Sequence, residues 1–224
     1  MTVLTGEGRV SILYGTYSLP MPPYRSVYMS RPDLEGRYPA VVVVHGAPGL
    51  TPSVKAACRR LARYGYVAVA PDLYRGGAPE LDGLPAARVP TDLADVVDAL
   101  DGYWTEWAAD RRAVLGLGAG GPHAARLAAS DDSATILIGG TEALDVDSLA
   151  RGRGPLLVLI SADGTETVRG LHDSVGRGQW IRYGDAGSGF HDEGLPDYRE
   201  ASAEDAYRRV IEFLDSHLAT TAAV

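Results

Sequence analysis

Short apolar runs bounded by turn residues alternate with helical patterns along most of the chain. Such runs are typical of strands buried on both faces of a parallel sheet. The predicted strands of this kind are Ala40–Val44, Tyr66–Ala70, Ala113–Leu117, Ala134–Ile138, Leu156–Ile160 and Trp180–Tyr183. Before them, Val10–Tyr17 and Tyr24–Ser30 predict an N-terminal strand pair, because prolines at 20, 22 and 23 separate the two and Pro32 closes the second.

Two helical patterns are the clearest. In Asp92–Trp107 the apolar residues fall on one stripe that ends with Trp104 and Trp107. Ser202–Leu218 has an apolar inner face, and Ser202 with Asp205 predicts a cap at its start. Strands and helices that alternate in this way predict an α/β fold: a doubly wound, mostly parallel sheet of about eight strands with helices on both faces.

The size and composition of the chain predict one globular domain, 1–224. Of its 224 residues, 46% are apolar and 22% are charged, which is close to the average of globular proteins. The net charge of −8 would repel nucleic acid and anionic membrane surfaces. We expect a cytoplasmic protein, because no apolar run reaches the length of a membrane span and the first residues lack the pattern of a signal peptide.

The single cysteine, Cys58, lies in a helical pattern over 54–63 and is predicted to be a buried side chain rather than a nucleophile. With one cysteine and no His, Cys and Asp cluster at ligand spacing, the sequence predicts no disulfide and no metal site. We expect no cofactor. The expected partner is a small-molecule substrate, and the sequence carries no signal for an oligomeric state.

The residues that follow each strand are the candidate site, because open parallel sheets bind ligands beyond the carboxyl ends of their strands. These segments are 45–49, 70–77, 116–121, 161–164 and 186–192. In one of them, Gly116, Gly118 and Gly121 also match the Gly-x-Gly-x-x-Gly of dinucleotide-binding domains. That match is weak, because such a domain normally opens with this strand. A further alternative is that the glycines only form tight turns.

Together, these segments resemble the dienelactone hydrolase family of the α/β-hydrolase fold. The resemblance covers nearly the whole chain and rests on 38–44, 61–67, 70–74 and Glu204–Tyr207 as well as on the turn segments. It implies that fold and a catalytic triad. In the family, the nucleophile is the cysteine of Gly-x-Cys-x-Gly-Gly, the acid is an aspartate after a later strand, and the base is the histidine of Ala-Gly-His-x-Phe.

The chain departs from this pattern at the reacting groups. Gly118 stands at the nucleophile position, and Ser188 stands at the histidine position with His191 three residues later. The acid is retained as Asp163, while Gly46 stands where the family carries a glutamate. Because triad members act as a unit, the loss of one removes the reason to keep the others.

The resemblance implies a retained oxyanion hole, formed by the backbone N–H groups of Ala47 and Ala119. The expected roles of the remaining residues are acid–base chemistry by Asp163, His191 and Ser188, and substrate binding by Gly46, Tyr74 and Arg75. Arg75 is expected to hold an anionic group, with Arg88 as a further candidate. His45 is expected to position the turn that follows it.

An oxyanion hole without a nucleophile favours reactions that polarise a carbonyl or form an enolate. We therefore expect a non-hydrolytic cyclase or isomerase that catalyses ring closure, dehydration or cycloaddition of a small carbonyl compound. The composition, rich in Ala, Gly and Arg and poor in Lys, favours a bacterial natural-product pathway. Two alternatives stay open: an ester or lactone hydrolase with a substitute nucleophile such as Ser188, and a non-catalytic binding or scaffolding protein.

Overall fold

The computed structural model describes residues 2–4, 8–79, 84–139, 145–161 and 165–218, and the side chains of all of these except 2–4 and 165–168. The strands are β1 (Thr2–Leu4), β2 (Ile12–Ser18), β3 (Ser26–Pro32), β4 (Tyr38–Val44), β5 (Val67–Pro71), β6 (Ala108–Leu117), β7 (Ala134–Ile138), β8 (Leu156–Ser161) and β9 (Gln179–Tyr183). The helices are α1 (Pro52–Arg63), α2 (Val89–Gly102), α3 (Gly121–Asp131), α4 (Val146–Arg151), α5 (Thr165–Val175) and α6 (Glu200–Leu218).

The described strands form one sheet in the order β1-β2-β3-β5-β4-β6-β7-β8-β9. Pairing is antiparallel from β1 to β3 and between β3 and β5, and parallel through the rest of the sheet. The expectation of a doubly wound, mostly parallel sheet is confirmed. The sheet has nine strands among the described residues, because Thr2–Leu4 also pairs with β2.

The strand order reverses at β4. The chain leaves β4, passes through α1 to β5 on one side, and later returns through α2 to β6 on the other side. The carboxyl ends of β4 and β6 therefore lie side by side at the crevice where open sheets bind ligands.

Two apolar layers sandwich the sheet. On one face, α1 and α6 bury side chains such as Leu61 and Leu214 against the strands. On the other face, α2, α3 and α4 bury side chains such as Val96 and Leu149. No helix in the described ranges combines the length and the apolar character needed to cross a membrane.

Several predicted bounds are wrong in instructive ways. The predicted helix over 92–107 is α2, which ends at Gly102. Trp104 remains buried, but it follows the helix in a turn. Its backbone N–H donates to the Ala99 carbonyl at 2.8 Å. The apolar stripe thus continues past the helix. Ser202 is not a cap, because α6 begins at Glu200 and the Ser202 hydroxyl donates to Asp185 at 3.4 Å.

Cys58 is fully buried on α1, as predicted, and burial raises the pKa of its thiol to about 12. We expect iodoacetamide at neutral pH to label the native protein at least ~100-fold more slowly than free cysteine, since both the thiolate fraction and access are low. The rate is measured by mass spectrometry, with the protein in guanidinium chloride as the control that restores labelling. Native labelling at the rate of free cysteine would contradict this account of Cys58.

Candidate active site

The turn between β6 and α3 places a glycine at its tip. β6 ends at Leu117, and Gly118–Gly120 form one 3-10 turn that leads into α3. Gly118 has a φ of +50°, a left-handed conformation that costs a residue with a side chain roughly 1–3 kcal/mol. A β-carbon built on Gly118 meets no atom within 4 Å. The tip of the turn therefore faces open space.

Close backbone approach fixes this turn against the sheet. A β-carbon on Gly120 would overlap the carbonyl oxygens of Val44 and His45 at the end of β4. A β-carbon on Gly116 would lie 2.7 Å from the α-carbon of Gly121. Since real β-carbons do not come so close to backbone atoms, the turn can occupy this position only with glycine at 116 and 120.

The turn after β4 lies beside the tip. A β-carbon on Gly46 would be 3.0 Å from the Leu117 carbonyl oxygen and 3.7 Å from the Ala119 nitrogen. Ala119 is at the start of a helical segment, where N–H groups lack acceptors within the helix. Ala47 and Ala119 line the same pocket. The two backbone segments named in the oxyanion-hole prediction thus lie side by side at one pocket.

His45 and Tyr74 support the turn after β4 from inside the protein. His45 is fully buried, and its Nε2 accepts the Leu73 N–H at 3.2 Å, so its Nδ1 carries the proton and donates to the Gly46 carbonyl at 2.8 Å. Burial lowers the pKa of His45, which keeps the ring neutral. Tyr74 stacks on this ring and its hydroxyl donates to the Ala47 carbonyl at 2.8 Å. Both side chains hold the turn in place.

One pocket of about 200 Å³ brings most of the predicted site residues together. Those that line it are Gly46, Ala47, Gly118, Ala119, Ser188 and His191. Val54, Leu117 and Leu195 contribute apolar wall, and Asp192 and Asp197 contribute carboxylates. The pocket lies at the carboxyl ends of β4 and β6, the position that the sequence analysis predicts.

His191 lies across the end of β7. Gly139, with a φ of +84°, makes room for it: a β-carbon there would be 3.1 Å from His191 Cε1 and would overlap the Ser188 carbonyl oxygen. His191 Nδ1 is buried and has no hydrogen-bond partner among the described residues. Burial lowers the pKa of His191 to about 4, although the charges of Asp192 and Asp197 act in the opposite direction. The imidazole is therefore neutral at neutral pH.

Two carboxylates of the pocket are not among the site residues predicted from the sequence. Asp192 is buried, and it accepts the Thr51 hydroxyl at 3.1 Å and the Gly194 N–H at 2.8 Å. Asp197 accepts the Gly189 N–H at 2.8 Å. Adjacency to His191 was a signal for Asp192. No comparable signal marks Asp197, because only the fold of the loop brings it to the pocket.

Arg75 and Arg88 are directed to other partners. Arg75 donates to Asp92 through Nη2 at 2.6 Å and Nε at 3.3 Å, and Arg25 lies 2.5 Å from the same carboxylate, which is 1% exposed. Arg75 thus neutralises a buried charge and does not line the pocket. Arg88 Nη2 donates to the Leu73 carbonyl at 3.5 Å.

Asp163 lies outside the described residues. Within the described part of the chain, no group of three or more His, Cys, Asp or Glu side chains has the arrangement of a metal site.

The model of the dienelactone hydrolase family matches residues 26–218. The chain belongs to the dienelactone hydrolase family. A candidate carboxymethylenebutenolidase of Salmonella typhi is 32% identical over 221 residues, which cover 83% of this chain and 80% of that protein. A candidate carboxymethylenebutenolidase of Escherichia coli K12 is 30% identical over 225 residues, covering 85% and 82%. The family consists of enzymes named as hydrolases.

Solved structures agree with this assignment. The dienelactone hydrolase of Anabaena variabilis superposes with a TM-score of 0.71 at 16% identity, covering 94% of this chain and 100% of that one. A dienelactone hydrolase-like promiscuous phosphotriesterase from metagenomic libraries gives 0.74 at 19% identity, covering 92% and 98%. At these identities the likeness establishes the fold, and the expected α/β-hydrolase fold is confirmed.

The neutral state of His191 makes stability depend on pH. Its pKa is about 4 in the folded protein and about 6.5 in an unfolded chain. The unfolded chain therefore binds the extra proton first, and stability falls as the pH drops from about 6.5 towards 4. Between pH ~7 and ~4.5 we expect His191 to account for a loss of about 2–3 kcal/mol.

Urea unfolding at both pH values, for the wild-type protein and His191→Gln, measures this loss. The variant lacks the titrating group. Its free energy of unfolding should therefore fall between the two pH values by about 2–3 kcal/mol less than that of the wild-type protein. The change in unfolding free energy between the two pH values is taken within each protein, so any effect of the substitution that is the same at both pH values cancels. The same pH dependence in both proteins would show that the His191 pKa is not lowered by folding.

Proposed function

We propose that this chain is a non-hydrolytic member of its family, an isomerase or cyclase that acts on a small carbonyl compound. The observation that carries the proposal is Gly118, which keeps the left-handed conformation at the tip of the turn and faces the pocket without supplying a nucleophile. The one thiol of the chain, Cys58, is buried in α1 and is not a substitute.

In this proposal, the backbone amides of Ala47 and Ala119 bind the carbonyl oxygen of the substrate. Hydrogen bonds from these amides become stronger as negative charge develops on the oxygen, so they favour an enolate over the bound ketone or lactone. Backbone amides held by β4 and α3 need little reorganisation during the reaction. This is the property on which electrostatic stabilisation of a transition state depends.

His191 is the proposed proton acceptor. Its neutral imidazole takes a proton from the carbon next to the carbonyl, and the electron pair of that C–H bond forms the enolate. Return of the proton to a different carbon moves a double bond, with no net oxidation. Attack of the enolate carbon on a second carbonyl carbon of the same molecule closes a ring, and the C=O π electrons move to the oxygen, which takes the proton from His191.

The size of the pocket supports a small substrate. About 200 Å³ with apolar walls from Val54, Leu117 and Leu195 suits a single five- or six-membered ring. The name of these relatives, carboxymethylenebutenolidase, refers to a butenolide, which is an unsaturated five-membered lactone. We carry that substrate class over to this chain.

Hydrolysis of the same lactones is the second candidate function, and two observations favour it. The relatives are named as hydrolases, and the hydroxyl-bearing Ser188 lines the pocket. The third candidate is a non-catalytic protein that binds the lactone without converting it.

α-Angelica lactone, a butenolide whose double bond is not conjugated with the carbonyl, separates these functions. Isomerisation moves a proton from C3 to C5 and gives the conjugated β-isomer, whereas hydrolysis gives levulinic acid. We expect the protein to accelerate isomerisation at least ~100-fold over buffer, the lower end of general base catalysis. Proton NMR follows both products. If levulinic acid is the main product, the hydrolase replaces the isomerase proposal. If neither product forms, the protein is a non-catalytic binding protein.

The substitution Gly118→Leu tests where the reaction occurs. The leucine would fill the space at the tip of the turn, so we expect at least a ~100-fold loss of isomerisation, with strain of roughly 1–3 kcal/mol. Gly176→Leu is the matched control: Gly176 has a φ of +63°, a β-carbon there also meets no atom within 4 Å, and it does not line the pocket. Thermal melts report folding of both variants. A folded Gly118→Leu protein with full activity would place the reaction elsewhere.

A further inference from the structure

The described side chains that line the pocket include two carboxylates and no Lys or Arg. Among the described residues that line it, Asp192 and Asp197 are the carboxylates, and His191 is neutral at neutral pH because burial lowers its pKa. Arg75, which the sequence predicts to hold an anionic group, pairs with the buried Asp92 instead.

The rest of the sequence does not change this balance. All 21 Lys and Arg side chains belong to described residues, and none of them lines the pocket. The residues outside the described ranges include Glu7, Glu80, Asp82, Glu142 and Asp163 but no Lys, Arg or His. Among the described residues, no Lys or Arg side chain therefore lines this pocket.

The two carboxylates also have unused capacity to accept hydrogen bonds. Each carboxylate oxygen can accept about two bonds. One oxygen of Asp197 accepts the Gly189 N–H, and each oxygen of Asp192 accepts one donor from the loop or from Thr51. A bound group with several N–H donors and a positive charge would satisfy the remaining sites through charge-assisted bonds.

We infer that the pocket takes a carbonyl compound that also carries a protonated amine, with the ammonium group at Asp197 and Asp192. The inference rests on the proposed function for the carbonyl end, which lies at the amides of Ala47 and Ala119. A substrate that carries a carboxylate would place like charges together in a partly enclosed site and would bind weakly. The preference for positive charge is set by the loop that follows β9.

Three lactones with the same ring test the inference: γ-butyrolactone, α-amino-γ-butyrolactone, and γ-butyrolactone with a carboxylate on the ring. Affinities are measured by calorimetry at low salt and about pH 6, where the amine is protonated and His191 is still neutral. We expect the ammonium lactone to bind at least ~10-fold more tightly than the neutral lactone, and the carboxylate lactone to bind most weakly.

Asp197→Asn tests whether this preference arises in the pocket. Asparagine keeps an oxygen that can accept the Gly189 N–H, so the loop is retained while the charge is removed. We expect the preference for ammonium over neutral lactone to fall to about 2–3-fold. Asp173→Asn removes the same charge from a side chain that is 82% exposed on α5, and it should leave the preference unchanged.

Equal affinities, a reversed order, no binding of the ammonium lactone, or an unchanged preference in Asp197→Asn would each overturn the inference. Gly118→Leu separates it from the proposed function. If Gly118→Leu abolishes binding of all three lactones but wild-type affinities are equal, the carbonyl site stands and the charge preference falls. If the Asp197-dependent preference holds but α-angelica lactone is not isomerised, the ammonium site stands and the isomerase proposal falls.

Discussion

The turn after β6 can lie against the carboxyl end of β4 because no side chain stands at Gly120. A β-carbon there would overlap the Val44 carbonyl and push the turn away from the sheet. With the turn seated, Ala119 comes next to Gly46 and the two backbone segments line one pocket. Gly139 has the same effect on the opposite side, where it lets the loop after β9 cross the end of β7. The pocket is thus framed by close contacts between backbones.

A site framed by backbone groups remains when the reacting side chains change. Every residue except proline would present a backbone N–H at positions 47 and 119, so this part of the pocket does not depend on the side chain at position 118. The side chains of the loop after β9 then determine the character of the pocket. At His191, desolvation outweighs attraction to two nearby carboxylates, and the lowered pKa shows which of these opposing effects is larger.

Sequence patterns predicted the sheet well because its strands are buried on both faces and bounded by turns, and β7 has its predicted bounds, Ala134–Ile138. They failed where tertiary contacts decide. Trp104 continues an apolar stripe beyond the end of α2, and Arg75 finds a buried partner, Asp92, in the first turn of that helix. The position of Gly118 at the tip of the turn follows from the family pattern, whereas Asp197 reaches the pocket only through the fold of its loop.

The left-handed conformation at Gly118 sets a cost in stability for any other residue at the tip of the turn. A thiol or hydroxyl side chain at this position would introduce backbone strain of roughly 1–3 kcal/mol, which is a sizeable part of the free energy of unfolding of a domain. A side chain at position 118 therefore has to be offset by stabilising contacts elsewhere in the domain.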